Sequence, residues 1–117
     1  LGREGELFSF RISSIESMLL QSTRPEVVLS FISRYVEPLE RYDRSHTSDL
    51  LRTVEDFFDC GGALEETARR LHIHVSTLRY RLQKAAELLG VDPRDSAEGL
   101  DVQVALRAAS VLRVHRG

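Results

Sequence analysis

Between residues 63 and 89 the apolar positions fall into two short runs at helical spacing, separated by one tight turn. Leu64, Ala68 and Leu71 form the first run, and Leu78, Leu82, Ala85 and Leu89 the second. Steps of three and four residues place each set on one face of a helix. The spacing predicts a short helix over 63–71, a turn at His72-Ile73-His74 and a long helix over 75–89. Glu65 and Glu66 sit where the first helix begins, the end at which the helix dipole favours negative charge. Gly90 stops the second helix, as glycines after a helix do.

The same pattern continues outward in both directions. Leu50, Leu51, Val54, Phe57 and Phe58 predict a helix capped by Ser48 or Asp49 and ended by Gly61-Gly62. Upstream, Val28, Leu29, Ile32 and Tyr35 predict a helix from about Pro25 to Tyr35, and Pro38 opens a separate short piece through Leu39 and Tyr42. Ile12, Ile15, Met18 and Leu19 fit another helix, while the alternation of Leu7-Phe-Ser-Phe-Arg-Ile12 also fits a strand. Downstream, Val91-Asp-Pro-Arg-Asp95 reads as a loop. A last helix follows from Leu100 to about Val114, with Val104, Ala105, Ala108, Val111 and Leu112 apolar. The expected fold is all-α: a helix-turn-helix bundle over 48–117, preceded by a helical lead-in over 1–47. The polar run Asp43 to Ser48 is the expected boundary. The lead-in reads either as the end of an upstream sensor domain or as a dimerisation segment.

Charge sharpens this picture. The chain carries a net −2, unevenly spread. Residues 1–60 hold seven Arg and eleven acids, and residues 61–117 hold nine Arg or Lys and seven acids, so the sign changes from −4 to +2. From Arg69 to Lys84 there are five basic residues (Arg69, Arg70, Arg79, Arg81, Lys84) and no carboxylate. Packing gives no reason to exclude acids there, but contact with phosphate does. A helix that enters the major groove needs an apolar stripe for its own core and an opposite face for DNA. Here Ser76, Thr77, Tyr80, Arg81 and Lys84 lie off the stripe. His74, Ser76 and Thr77 are small or polar groups at the helix start, suited to base edges, with Tyr80 and Arg81 one turn on. Arg79 and Lys84 read as phosphate contacts, and Arg69 or Arg70 as a backbone contact from the preceding helix. Ala68 is small where two helices cross, and Ile73 fits an apolar plug beneath them.

Several segments then resemble a known family. Asp49-Leu-Leu-Arg-Thr-Val-Glu-Asp-Phe-Phe-Asp-Cys-Gly-Gly62, Thr67-Ala-Arg-Arg-Leu71, Thr77-Leu-Arg-Tyr-Arg-Leu82 and Leu88-Leu-Gly90 resemble the C-terminal helix-turn-helix of PucR/CdaR-type bacterial transcription regulators. The tail Leu100-Asp-Val-Gln-Val-Ala-Leu-Arg107 is similar to that family's closing helix, and Pro38-Leu-Glu-Arg-Tyr-Asp43 to its lead-in. The same core resembles the Fis-type DNA-binding helix pair. The resemblance implies a C-terminal DNA-binding module, with any effector bound by domains upstream; the single cysteine fits a reducing, cytoplasmic location. By position, His74, Val75, Ser76 and Thr77 open the recognition helix, and Tyr80 and Arg81 continue its exposed side. Two positions depart from the pattern. Val75-Ser76 stands where Arg-Asn is frequent, which removes a polar contact but leaves Val75 able to touch a thymine methyl. Ala63 stands where a capping Asn is usual, which predicts a weaker helix start.

Other chemistries find little support in the residues. His72 and His74 are two apart with His46 and His115 elsewhere, and no third ligand is placed to complete a metal site. Cys60 is the single cysteine, so no internal disulfide forms, and it reads as a small helix-end residue rather than a nucleophile. Gly61-Gly62 is followed by neither a Walker Lys nor dinucleotide spacing. No acid, base and nucleophile assemble into an enzyme, no cofactor motif appears, and no apolar run is long enough for a membrane span. The chain opens on Leu1-Gly2 without an initiator Met, as expected of a fragment. The expected partner is double-stranded DNA, bound by a homodimer or higher oligomer of the whole protein. The rival reading is a helical module that binds a protein partner through the same basic face.

Overall fold

A computed structural model describes residues 24–116, with side chains through Leu112. The expectations for Leu7 to Ile12 and for Ile12 to Leu19 lie outside the described residues. Five helices follow one another, with no strand among the described residues: α1 (Pro25–His46), α2 (Leu50–Asp59), α3 (Leu64–Leu71), α4 (Val75–Leu89) and α5 (Glu98–Arg116). The fold is all-α. Its core draws on every helix: Val28, Ile32, Tyr35, Val36 and Leu39 from α1, Leu50, Val54 and Phe57 from α2, Ala68 from α3, Leu78, Leu82 and Ala85 from α4, and Val102, Ala105 and Leu106 from α5.

The lead-in differs from the sequence expectation. Pro38 does not end one helix and start another, because α1 runs through it without a break. A proline inside a helix forfeits one backbone hydrogen bond and costs about 3 kcal/mol. Here Tyr35, Val36 and Leu39, flanking Pro38, are all buried. Each fully buried apolar side chain contributes about 1.5–3 kcal/mol, so keeping them on one continuous face outweighs the lost bond. An ion pair between Arg41 and Glu37 also runs alongside the proline. Leu29, expected on the inner face, is 45% exposed instead.

The polar connector is correspondingly shorter, and its chemistry is not the one expected. Neither Ser48 nor Asp49 caps α2 through its side chain. The cap comes from Asp43, still inside α1. Its two carboxylate oxygens accept from the backbone N–H groups of Leu50, at 2.8 Å, and Leu51, at 3.1 Å. Those two donors would otherwise be orphaned at the helix start. The last turn of α1 therefore fixes the first turn of α2.

Among the described residues four helix ends use the left-handed conformation, and α1 closes on one of them, Thr47 (φ 49°). Gly61 (φ 64°) and Gly62 close α2, with Gly62 N–H donating to the Phe57 carbonyl at 2.9 Å. Gly90 (φ 77°) closes α4, donating to Ala86 at 2.9 Å. His72 closes α3 at φ 58°, with its N–H donating to Arg69 and the Ile73 N–H to Ala68 at 3.0 Å. That pair of bonds is a Schellman closure, usually built on glycine.

The last helix starts two residues before Leu100. Asp95 explains the difference, since its carboxylate accepts from the Ala97 and Glu98 N–H groups, both at 2.9 Å. Leu100 itself is 58% exposed, and Val102, Ala105, Leu106, Ala108 and Ala109 form the buried stripe. Arg94 ties the preceding loop to α4 by donating to the Gln83 side chain at 2.8 Å and to Asp92 at 2.9 Å. Hydrogen bonding from the Arg94 side chain, aided by its backbone N–H and its charge, outweighs burial and holds the Asp92 carboxyl below its ordinary value.

Candidate nucleic-acid interface

Helices α3 and α4 form the expected pair. Ala68 is buried where they cross, and Ile73 in the turn packs half-buried against the core. Thr67 is fully buried, and its hydroxyl donates to the Ala63 carbonyl at 2.7 Å. Ala63 occupies the N-cap and makes no side-chain bond, as its substitution for a capping residue predicts.

The long helix begins at Val75 and ends at Leu89, as its pattern predicts. Leu78, Leu82 and Ala85 are wholly buried, while Leu89 is half-buried at the rim. This stripe fixes which side faces outward. His74, the N-cap residue, and Ser76, Thr77, Arg79 and Tyr80 are exposed, Tyr80 at 68%. Val75 is half-buried and packs back against the core. Arg69 is exposed on α3. Among the described residues, neither Arg69 nor Arg79 pairs with a carboxylate.

Three of the basic residues are engaged within the protein instead. Arg70 turns toward α2, 3.8 Å from Asp59 and 4.0 Å from Asp56. Asp59 also accepts from Arg107 of α5 at 3.0 Å, so one carboxylate joins α2, α3 and α5. Lys84 lies 5.5 Å from the centre of the Tyr42 ring on α1 and 3.9 Å from Glu87. Arg81 is half-buried, and its Nη1 donates to Thr53 Oγ1 on α2 at 3.2 Å. It was expected on the open face beside Tyr80. Its place on the helix explains the difference. Arg81 lies three residues after Leu78 and four before Ala85, on the flank of the buried stripe, where a long side chain folds back over a neighbouring helix.

Thr53 was not expected at the site. A buried threonine inside the Leu50–Phe57 run looks like one more polar position in an amphipathic helix. The available signal was its place in the run, between Leu50 and Phe57, on the inward face. Clefts elsewhere on the surface lie between α2 and α5, lined by Asp56, Asp59 and Arg107, and beside Gly61-Gly62, away from the open face of α4.

Comparison with known proteins assigns this geometry. Residues 50–108, half of the chain, match the PucR C-terminal helix-turn-helix domain. The chain belongs to that family. The match takes in α2, α3 and α4 whole, together with the first half of α5, so the PucR-type module contains both the open face and the Thr53–Arg81 contact. It is a helix-turn-helix family and not a catalytic one. The PucR-type module is 39% identical over 56 residues to an uncharacterized protein of Mycobacterium tuberculosis, a stretch covering 48% of this chain and 14% of that protein. It is 37% identical over 54 residues to the DNA-binding transcriptional activator AdeR of Bacillus subtilis, covering 46% of this chain and 13% of AdeR. It is 38% identical over 58 residues to the purine catabolism regulatory protein of Bacillus subtilis, covering 50% of this chain and 11% of that protein. The shared part is thus a small fraction of each relative's length. No helix among the described residues is long and apolar enough to cross a membrane.

Proposed function

We propose that this chain binds double-stranded DNA as the C-terminal module of a bacterial transcription regulator, with α4 in the major groove. One observation carries the reading: the outward side of α4 is polar and carries the exposed Arg79, the end of α3 adds Arg69, no acid falls from residue 69 to 84, and the opposite side of α4 is the buried stripe of Leu78, Leu82 and Ala85. A major-groove helix needs that division of faces. Family membership and the similarity to AdeR, a DNA-binding transcriptional activator, support it.

Within this reading His74, Ser76, Thr77 and Tyr80 meet base edges, with the exposed hydroxyls, imidazole and phenol supplying donors and acceptors, while Val75 seats the start of the helix on the core. Arg79 and Arg69, exposed and without a carboxylate partner among the described residues, take phosphates. Arg70 and Lys84 add positive field while remaining bonded within the protein. One such helix reads about one half-site, so useful specificity requires two copies, supplied by the whole regulator as a homodimer or higher oligomer. An effector, where the regulator has one, binds its upstream domains. The module itself uses no cofactor, and its place of action is the cytoplasm.

Fluorescence anisotropy on a labelled duplex of mixed sequence, across a salt series, tests the assignment. Affinity is expected to fall log-linearly with salt, since each neutralised phosphate releases counterions. Changing Arg69 and Arg79 together to Ala is expected to weaken binding at every salt and to flatten the slope by about 1.8, two phosphates at about 0.9 each. An unchanged slope in a folded double variant removes both residues from the interface.

A further inference from the structure

The buried hydroxyl of Thr53 sits between two helices and is used twice. It donates at 2.7 Å to the carbonyl of Asp49, the N-cap residue one turn back, which fixes its rotamer. Its oxygen then accepts from Arg81 Nη1 of α4 at 3.2 Å. Thr53 is wholly buried, whereas Arg81 is half-buried, so the contact holds the inner edge of the guanidinium and leaves the side chain reaching toward the surface. Thr77, one turn before Arg81 on the same ridge of α4, is exposed on the open face.

This arrangement matters because arginine is a flexible side chain. Ordering it on binding costs entropy, and a group already held in place has lost that freedom before the ligand arrives. A guanidinium also carries several N–H donors in a planar fork, so one edge can be anchored in the protein while another meets an oxyanion. We propose that Thr53 is a positioning residue for DNA binding: its hydroxyl holds Arg81 at the flank of α4, with the rest of the fork directed to a backbone phosphate. The proposal rests on the DNA-binding reading above and adds to it a residue that never touches DNA.

A double-mutant cycle on the whole chain tests it, using anisotropy at low salt with a labelled duplex of mixed sequence and circular dichroism to verify folding. Thr53→Val keeps the shape and removes the acceptor, and is expected to weaken binding about three- to tenfold, the worth of one net hydrogen bond. Thr53→Ser keeps the hydroxyl and is expected to bind within about twofold of the parent, the scatter of independent sites. In an Arg81→Ala background, Thr53→Val is expected to change nothing further. A purely structural threonine would instead weaken binding equally in both backgrounds, and that result overturns the proposal. So does Thr53→Val binding like the parent. Parent-like binding by Arg81→Ala overturns it while leaving Arg69 and Arg79 as the DNA contacts. Arg81→Lys keeps the charge without the fork, so parent-like affinity there also overturns it, whether or not Thr53→Val folds. Absence of DNA binding by the parent chain defeats the parent reading, and this proposal with it.

Discussion

Leu82→Ala is expected to lower the folding stability of the chain by about 2–5 kcal/mol, the range for emptying a fully buried leucine site. Leu82 is wholly buried on α4 in a core that also takes residues from α1, α2, α3 and α5. The cost has two parts: the transfer energy of the lost methyl groups, and a cavity that rigid neighbours fill only in part. Domains of this size have about 5–15 kcal/mol to lose, so the change removes a substantial share of the total. Urea unfolding followed by circular dichroism should show a lower midpoint with an unchanged slope. DNA binding should weaken with it, because the residue that seats α4 in the core lies opposite the face proposed to meet DNA. A loss below about 1 kcal/mol, smaller than any typical leucine truncation, would mean that α4 is not seated by this stripe.

Gly99→Ala sets two effects against each other, and their magnitudes decide the sign. Gly99 lies in the first turn of α5, where alanine has the better helix propensity by about 1 kcal/mol. A Cβ there, however, would stand 2.4 Å from the Pro93 carbonyl oxygen and 3.1 Å from its carbon. Those are backbone atoms of the loop that Arg94 ties to Asp92 and Gln83, so no side-chain rotation relieves the contact. Overpacking of this kind costs about 1–3 kcal/mol and at times more. The contact therefore outweighs the propensity gain, and the variant is expected to melt at a lower temperature than the parent. A variant more stable than the parent would show that the Val91–Asp95 loop yields freely.

The helix pair was legible in the sequence because each of its signals is local. The steps from Leu78 to Leu82, Ala85 and Leu89 fixed the period of α4, and Gly90 fixed its end within one residue. Features that arise between elements were not legible. Asp43 caps a helix seven residues ahead, beyond the reach of any rule that looks for a cap beside the first turn. Pro38 reads as a break because its cost is local, whereas the burial of Tyr35, Val36 and Leu39 that outweighs it depends on α2, α4 and α5 being in place. The basic residues show the same limit. Five look alike in sequence, but the structure turns Arg70 to Asp59, Lys84 to Tyr42 and Arg81 to Thr53, and leaves Arg69 and Arg79 open. Composition counts charge, and only packing decides which charges face outward.

The proposed contact between DNA and the outward side of α4 can be located residue by residue. Backbone amide chemical shifts of the isotope-labelled chain would be followed while a short duplex of mixed sequence is added at low salt. The largest changes are expected from His74 through Arg81, with Arg69 on α3 and little change along α5. Shifts centred on α5 or on the Asp56–Asp59 side of α2, or no shifts at all at low salt from a folded chain, would contradict the assignment.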